Sequence, residues 1–411
     1  MTLTREQKRQ LLTKIDRFVQ QKFYDPNFNG HDWPRLVAQY QEPILNSPTT
    51  AAFEESVTAL LAGLHASGTG LLGRETKITP RNSIAASFRR ILNTPEGDRW
   101  VFQDVQPGGV AARAGVKPAD VLISVSGNEI TPPGQPAFEM NESTPIVISR
   151  DGAHQEIRLA LKTPVPKYRD NPYAEPDSIV AKTIPEDIGH LKVSLFPGKI
   201  GIDFANRLDE IFSTEFRDSR HLLIDLRGNP GGGVGGMRLM SYFTPGCQPI
   251  GYSFDRQCWE RRCDPEKLPR FSRIPKTKWE LFPLALKYAT KKSIVIQTEG
   301  RGPRPFHGKI VLLVNEHSSG TAEMVAQFAK ENRLATLVGM KTSGRLAARS
   351  AFVLGYGYRL TIPIGAYVSW QGNRIEGKGI EPDVPADWSY KAAQQGTDVQ
   401  LERAIEITRS L

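Results

Sequence analysis

Apolar and polar positions along the chain change their period twice. In "REQKRQLLTKIDRFVQQKF" the residues Leu11, Leu12, Ile15, Phe18, Val19 and Phe23 recur at spacings of three and four, the period of one helical face. A second helix is expected over Phe53–Ala66, "FEESVTALLAGLHA", stopped by the glycines of "SGTG". Between residues 77 and 162 the texture shifts to short strands and turns. A strand through Val101 leads to Gly108-Gly109, a short Ala-rich helix, and an alternating strand at Val121, Ile123 and Val125. A proline-rich connector follows, "TPVPKYRDNPYAEPDS", Thr163–Ser178. Strands and helices then alternate: "HLKVSLF", "GIDFANRLDEIF", "HLLIDLRG", "GVGGMRLMSYF", "KIVLLVN", "TAEMVAQFAKEN", "LATLVGM" and a final helix "DVQLERAIEITRSL". This order predicts an α/β fold with a mainly parallel sheet, whose site lies at the carboxyl ends of its strands. The expected division is a helical head over 1–76, a small β domain over 77–162, a linker over 163–187 and an α/β domain over 188–411.

Composition narrows the class. The 411 residues are 39% hydrophobic and 24% charged, a globular profile with enough apolar material for cores. Net charge is +9, and residues 255–305, with thirteen Lys/Arg against six Asp/Glu, supply 13 − 6 = +7 of it. That segment reads as a solvated surface, since no nucleic-acid motif accompanies it and no nucleic-acid partner is expected. Cys247, Cys258 and Cys263 form neither a disulfide framework nor a Cys-x-x-Cys pair, so no metal site or cofactor is expected. The charged start "MTLTREQKRQ" lacks an apolar signal core, and no run approaches about 18 apolar residues. We therefore expect no membrane span and a cytoplasmic address, with homo-oligomerisation left open.

Three stretches carry candidate chemistry. In "LLIDLRGNPGGGVGG" an apolar strand ends at Asp225 and Arg227 and opens into glycines before a helix, a cradle of unobstructed N–H groups suited to an oxyanion or phosphate. Gly231, Gly233 and Gly236 also fit the Gly-x-Gly-x-x-Gly spacing of dinucleotide sites, but Pro230 and a polar "DLRGN" stand where the tight turn would begin. In "NEHSSGTAEMVA" a strand empties into a helix beside Ser318 and Ser319. The third stretch, Gly339–Val384, contains "GMKTSGR" and "IEGKGIEPD".

Together these blocks resemble the tail-specific, or carboxyl-terminal processing, serine peptidases, with the tricorn core peptidase as a relative. The resemblance spans nearly the whole chain, including "YDPNFNGHDW" in the head, and residues 77–162 resemble the PDZ domain of such proteases. It implies a crotonase-like α/β peptidase domain acting on polypeptides. It also implies a PDZ edge that captures carboxyl-terminal tails by strand addition, with its carboxylate-binding loop at Ser83, Ile84, Ala85, Ala86, Ser87 and Phe88.

Carried over residue by residue, the resemblance puts the oxyanion hole at Gly231 and Gly232, the nucleophile at Gly320 three residues before Glu323, and the general-base histidine of the tricorn-like branch at Gly68. Glu376 matches the glutamate that orients that histidine. The lysine base of the other branch corresponds to Arg345, whose guanidinium stays protonated and cannot act as a base. Both reacting side chains are thus glycine, whereas Ser-His catalysis needs a hydroxyl and an imidazole in contact. The expectation is a catalytically impaired family member that binds polypeptides. Two alternatives stay open. One is an active serine endopeptidase with a shifted pair, Ser319 or Ser318 with His65, taken as one helical turn from position 68. The other is a non-covalent reaction stabilised by the Gly231 and Gly232 amides. The bland readings are a Ser helix cap, a core-packed His65, a bystander His317, and a Glu323 that closes the cap or holds a loop.

Overall fold

The computed structural model describes residues 3–73, 83–138, 143–161, 176–198, 200–288, 293–300 and 306–411. Three helices form the head: α1 (Arg5–Lys22), α2 (Trp33–Leu45) and α3 (Thr50–Ala62). Helix α1 starts at a reciprocal cap, in which Thr4 Oγ1 accepts from the Gln7 N–H (3.2 Å) and Gln7 Oε1 from the Thr4 N–H (2.9 Å). Its apolar stripe buries Leu11, Ile15 and Val19 completely, each worth about 1.5–3 kcal/mol in apolar burial. Helix α2, absent from the sequence reading, has Asp32 as its cap, Pro34 in its first turn and Pro43 inside it. The expected helix over Phe53–Ala66 ends earlier, at Ala62.

The head is not a separate unit. Its core continues into Phe254, Cys258, Leu354, Leu360, Ile362 and Val368 of the carboxyl-terminal half. The short strand β1 (Gly70–Leu72) pairs with residues 359–361.

The second region is one antiparallel sheet: β2 (Ala86–Thr94), β3 (Gly97–Val105), β4 (Val121–Val125), β5 (Asn128–Glu129), β6 (Thr144–Arg150) and β7 (Ala153–Leu159), with helix α4 (Val110–Arg113) between β3 and β4. Strands β2 and β7 end the sheet's order, and Phe88, Phe102, Phe138 and Ile148 belong to its core.

Residues 163–175 of the expected linker lie outside the described residues. The linker's end is already structured: β8 (Ile179–Ile184) pairs antiparallel with β9 (Ile188–Val193). The chain then runs through α5 (Ile202–Ser213), β10 (His221–Asp225), α6 (Gly236–Met240), β11 (Pro249–Asp255), α7 (Arg256–Glu260), β12 (Arg270–Phe271), α8 (Leu281–Tyr288), β13 (Ile294–Gln297), β14 (Lys309–Val314), α9 (Thr321–Glu331), β15 (Thr336–Gly339), β16 (Ala347–Gly355), β17 (Tyr358–Ser369), β18 (Val384–Pro385), α10 (Tyr390–Gln394) and α11 (Val399–Ser410).

Two sheets result. One has the order β18-β15-β14-β10-β9-β8, parallel except at β8, as the alternating pattern predicts. The other, β1-β17-β11-β13-β12 with β16 on β17, is antiparallel apart from β12–β13 and was not foreseen. Helix α6 is shorter than "GVGGMRLMSYF" suggested, because Gly233–Gly235 still belong to the turn. Among the described residues, no helix is long and apolar enough to cross a membrane.

Candidate active site

The loops that leave the carboxyl ends of β10 and β14 meet face to face. The first is anchored by an ion network. Arg227 donates to both Asp225 oxygens (Nε–Oδ1 3.1 Å, Nη2–Oδ2 2.9 Å) and to both Asp398 oxygens (2.8 and 2.7 Å). Lys192 lies 3.3 Å from Asp225. Burial alone would push the Asp225 carboxyl up, but Arg227 and Lys192 more than offset it and hold it well below the usual range. The Asp-Leu-Arg motif therefore works as scaffold, tying a strand end to the cap of α11.

Beyond it the turn is built from close backbone contacts. Asn229 spans it, accepting from the Gly231 N–H at 2.7 Å and donating to the Val193 carbonyl at 2.8 Å. Gly232 is held at φ +132°, and a Cβ there would stand 2.0 Å from the Phe196 carbonyl oxygen, so only glycine fits. The Gly233 N–H goes to Phe196 at 2.9 Å. Of the two expected oxyanion amides, Gly231's is thus committed to Asn229, and Gly232's has no acceptor among the described residues.

Opposite stands the amino end of α9. Gly320 caps this helix at φ +60°, ψ −124°, a conformation strained for residues with a side chain. A Cβ on Gly320 would point at the other turn, 3.2 Å from the Gly231 Cα and 3.9 Å from the Gly232 nitrogen. A hydroxyl at this position would therefore face the uncommitted Gly232 amide. Glu323, fully buried, accepts from the N–H groups of Gly320 (3.1 Å), Gly344 (2.7 Å) and Arg345 (2.9 Å) and from the Thr342 hydroxyl (2.6 Å). Burial raises its carboxyl above the ordinary value, partly countered by these bonds. It both closes the cap and holds the 342–345 loop.

Gly68 lies in the turn after α3, at φ +75°. The side chain of Arg349 runs past it, with Cδ 3.2 Å from where a Gly68 Cβ would be. Glu376 bridges the two sides of this corner, accepting from the Ser67 N–H at 2.6 Å and the Leu346 N–H at 2.8 Å.

Gly68, Gly231, Gly232, Ser319, Gly320, Arg345 and Arg349 line one cavity of about 790 Å³. Its apolar wall comes from the second sheet and its neighbours, including Ile294, Ile296, Met324, Leu346 and Tyr367. Ala85 and Ala86 of the expected carboxylate-binding loop open onto the same cavity. The rest of that loop is occupied: Ser83 and Ile84 are fully buried, the Ala85 carbonyl accepts from the Gln106 N–H, and Ser87 donates to Asp104. Phe88 belongs to the small sheet's core.

The alternative residues fare unevenly. The Ser318 hydroxyl is buried, donating to the Leu226 carbonyl (2.8 Å) and accepting from the Asn315 N–H (3.0 Å). His65 is not on a helical face with position 68, since α3 ends before it. It is exposed and stacks on His31 at 4.5 Å between ring centroids, and it does not line the cavity. Ser319 does line the cavity, with its N–H on the Asn229 carbonyl at 2.9 Å. His317 donates its backbone N–H to Asn315.

Sequence reasoning missed Arg349 and Ser194, both in the cavity wall. The closeness of Arg349 to Gly68 has no local signature. Asn229 and Asn315 stood in the quoted motifs. Their role as girders is visible only once Asn315 is seen accepting from Gly228 (3.0 Å) and donating to Asp104 of the small sheet (3.0 Å).

A strand-to-helix turn thus faces a glycine cradle, beside a helical head and a small β domain. Residues 187–386 match Peptidase family S41. The carboxyl-terminal-processing protease of Synechocystis sp. is 24% identical over 99% of this chain and 88% of its own length. The CtpA carboxy-terminal processing protease of Bacillus subtilis is 22% identical over 79% of this chain and 64% of its own. Among solved structures, the photosystem II D1 C-terminal processing protease superposes with a TM-score of 0.55 at 17% identity, covering 98% of this chain and 97% of that one. Mature CPAF gives 0.58 at 14% identity, covering 98% and 96%.

Proposed function

We propose that this chain is a member of Peptidase family S41 that binds polypeptide tails in its cleft without hydrolysing them. One observation carries the reading: among the described residues lining the cavity there is no His, Lys, Asp or Glu. The cavity thus offers no group able to take a proton from a nucleophile near neutral pH. Gly320, at the nucleophile position, supplies no hydroxyl, and Gly68, at the base position, supplies no imidazole. The space beside Gly68 is instead taken by Arg349. A binding role also agrees with the small sheet, whose edge strand β2 begins at the cavity, with Ala85 and Ala86 in its lining, as a PDZ-type tail-binding domain would. The three thiols, none in a disulfide, are compatible with a cytoplasmic setting.

The shifted serine dyad is weakened at its base, because His65 faces His31 outside the cavity. The non-covalent reaction retains one amide of the expected two.

The test is cleavage of an unstructured polypeptide, followed by mass spectrometry, with the parent, Gly68→His/Gly320→Ser, and the same pair plus Arg349→Ala. The third change clears the space that an imidazole on residue 68 would enter. The expected result is a silent parent and cleavage by the triple variant. Cleavage by the parent refutes the reading.

A further inference from the structure

The cavity has a charge pattern that a peptidase cleft does not need. Arg345 and Arg349 are its charged residues, and no carboxylate among the described residues lines it. Glu323 and Glu376, which bond its lining residues, are occupied by backbone N–H groups, and Glu323 by a hydroxyl as well. The Arg345 backbone is fixed, its N–H on Glu323 and its carbonyl accepting from the Gly320 N–H at 3.1 Å. Its side chain is exposed and has no ion pair among the described residues.

Two further donors line the same wall. One is the Gly232 N–H. The other is the Ser194 hydroxyl, whose oxygen is fully buried without a hydrogen-bond partner among the described residues. A buried hydroxyl left unpaired costs roughly 1–3 kcal/mol, so it marks a place where a ligand or water oxygen belongs.

Resting on the function proposed above, we propose that the emptied catalytic centre is itself a carboxylate receptor. The free carboxyl group of a polypeptide tail binds at the Gly320 corner, on the Arg345 guanidinium and the Gly232 and Ser194 donors, with the apolar side chains of the last residues against Ile294, Ile296, Met324 and Tyr367. The glycine at 320 is then functional, since it leaves room for the carboxylate where a serine side chain would stand. Arginine suits the role that lysine does not fill as well: it presents a planar fork to both carboxylate oxygens.

The experiment measures binding of one fluorescein-labelled decapeptide with an apolar end, as free acid and as carboxyl-terminal amide. The proteins are the parent, Arg345→Ala, Arg345→Lys and Ser194→Ala, and the peptide's mass is read afterwards. Charge-assisted bonds of this kind predict about tenfold to hundredfold tighter binding of the free acid. Arg345→Ala should abolish most of that preference, Arg345→Lys should keep part of it, and Ser194→Ala should weaken it. Arg345 is exposed, so its loss does not threaten the fold. Equal binding of acid and amide, or a preference unchanged in Arg345→Ala, overturns the receptor while leaving the non-cleaving reading intact. A shortened peptide overturns that reading and the receptor with it.

Discussion

Of the five glycines that border the cavity, Gly231 and Gly232 differ from Gly68 and Gly320 in the room a side chain would find. At Gly231 and Gly232 there is no room for anything else: a Cβ would stand 2.8 Å from the Ser319 carbonyl oxygen at the first and 2.0 Å from that of Phe196 at the second. At Gly320 and Gly68 the nearest obstacle is 3.2 Å away, and at Gly68 it is the flexible stem of Arg349. The first pair is demanded by the fold. At the second pair a Cβ meets no atom closer than 3.2 Å, so the cost of a side chain there is the positive φ. The supporting parts, Asn229, Asn315, Glu323 and the Asp225–Arg227 network, are fully bonded around them.

The largest effect expected is at the frame. Gly232→Ala forces backbone against backbone and should cost about 4 kcal/mol or more, seen as loss of soluble folded protein or a collapse in Tm. Asp225→Asn breaks a buried ion network and should cost about 3–5 kcal/mol by denaturant unfolding. Its pH dependence follows from the depressed carboxyl. The stabilisation by Asp225 is present above the unfolded pKa, about 4, and is lost as pH falls below it. The gap between parent and variant should be full at pH 7 and shrink in stability curves taken toward pH 3. Gly320→Ser should cost less, about 1–3 kcal/mol of backbone strain. A cost as large as that of Gly232→Ala would erase the distinction between the two pairs. The smallest effect is expected from Ser319→Ala, which should leave peptide binding within about twofold. Turnover that disappears with Ser319 would instead make it a nucleophile.

Much of the frame was legible because it is local. The three-four stripe of α1, the alternation of β9, α5, β10, β14 and α9, and the glycine turn each sit in one short window. The second sheet was not legible, since β17 joins residues 70–72, 249–255 and 347–355 that no window contains. Helix α2 was hidden by Pro34 and Pro43, which argue against a helix unless one is placed in its first turn. At the site, motifs pointed to Gly320, Gly68 and Glu376; the first two line the cavity, and the third bonds the lining residues Ser67 and Leu346. The unpaired donors and the arginine beside Gly68 depend on tertiary approach, as does the exclusion of His65, whose place turns on α3 ending at Ala62.

The shared core of the head carries a consequence for the order of assembly. Lys14 reaches the Leu354 carbonyl across 340 positions of sequence, and the Tyr24 N–H goes to the Pro363 carbonyl at 3.2 Å. During synthesis the small β sheet can close as soon as it leaves the ribosome. The first sixty residues must wait for the last strands before their apolar side is covered. For most of translation the nascent chain thus trails an uncovered amphipathic segment, a state in which chaperone engagement or aggregation competes with folding. Truncation from either end should strand the same surface.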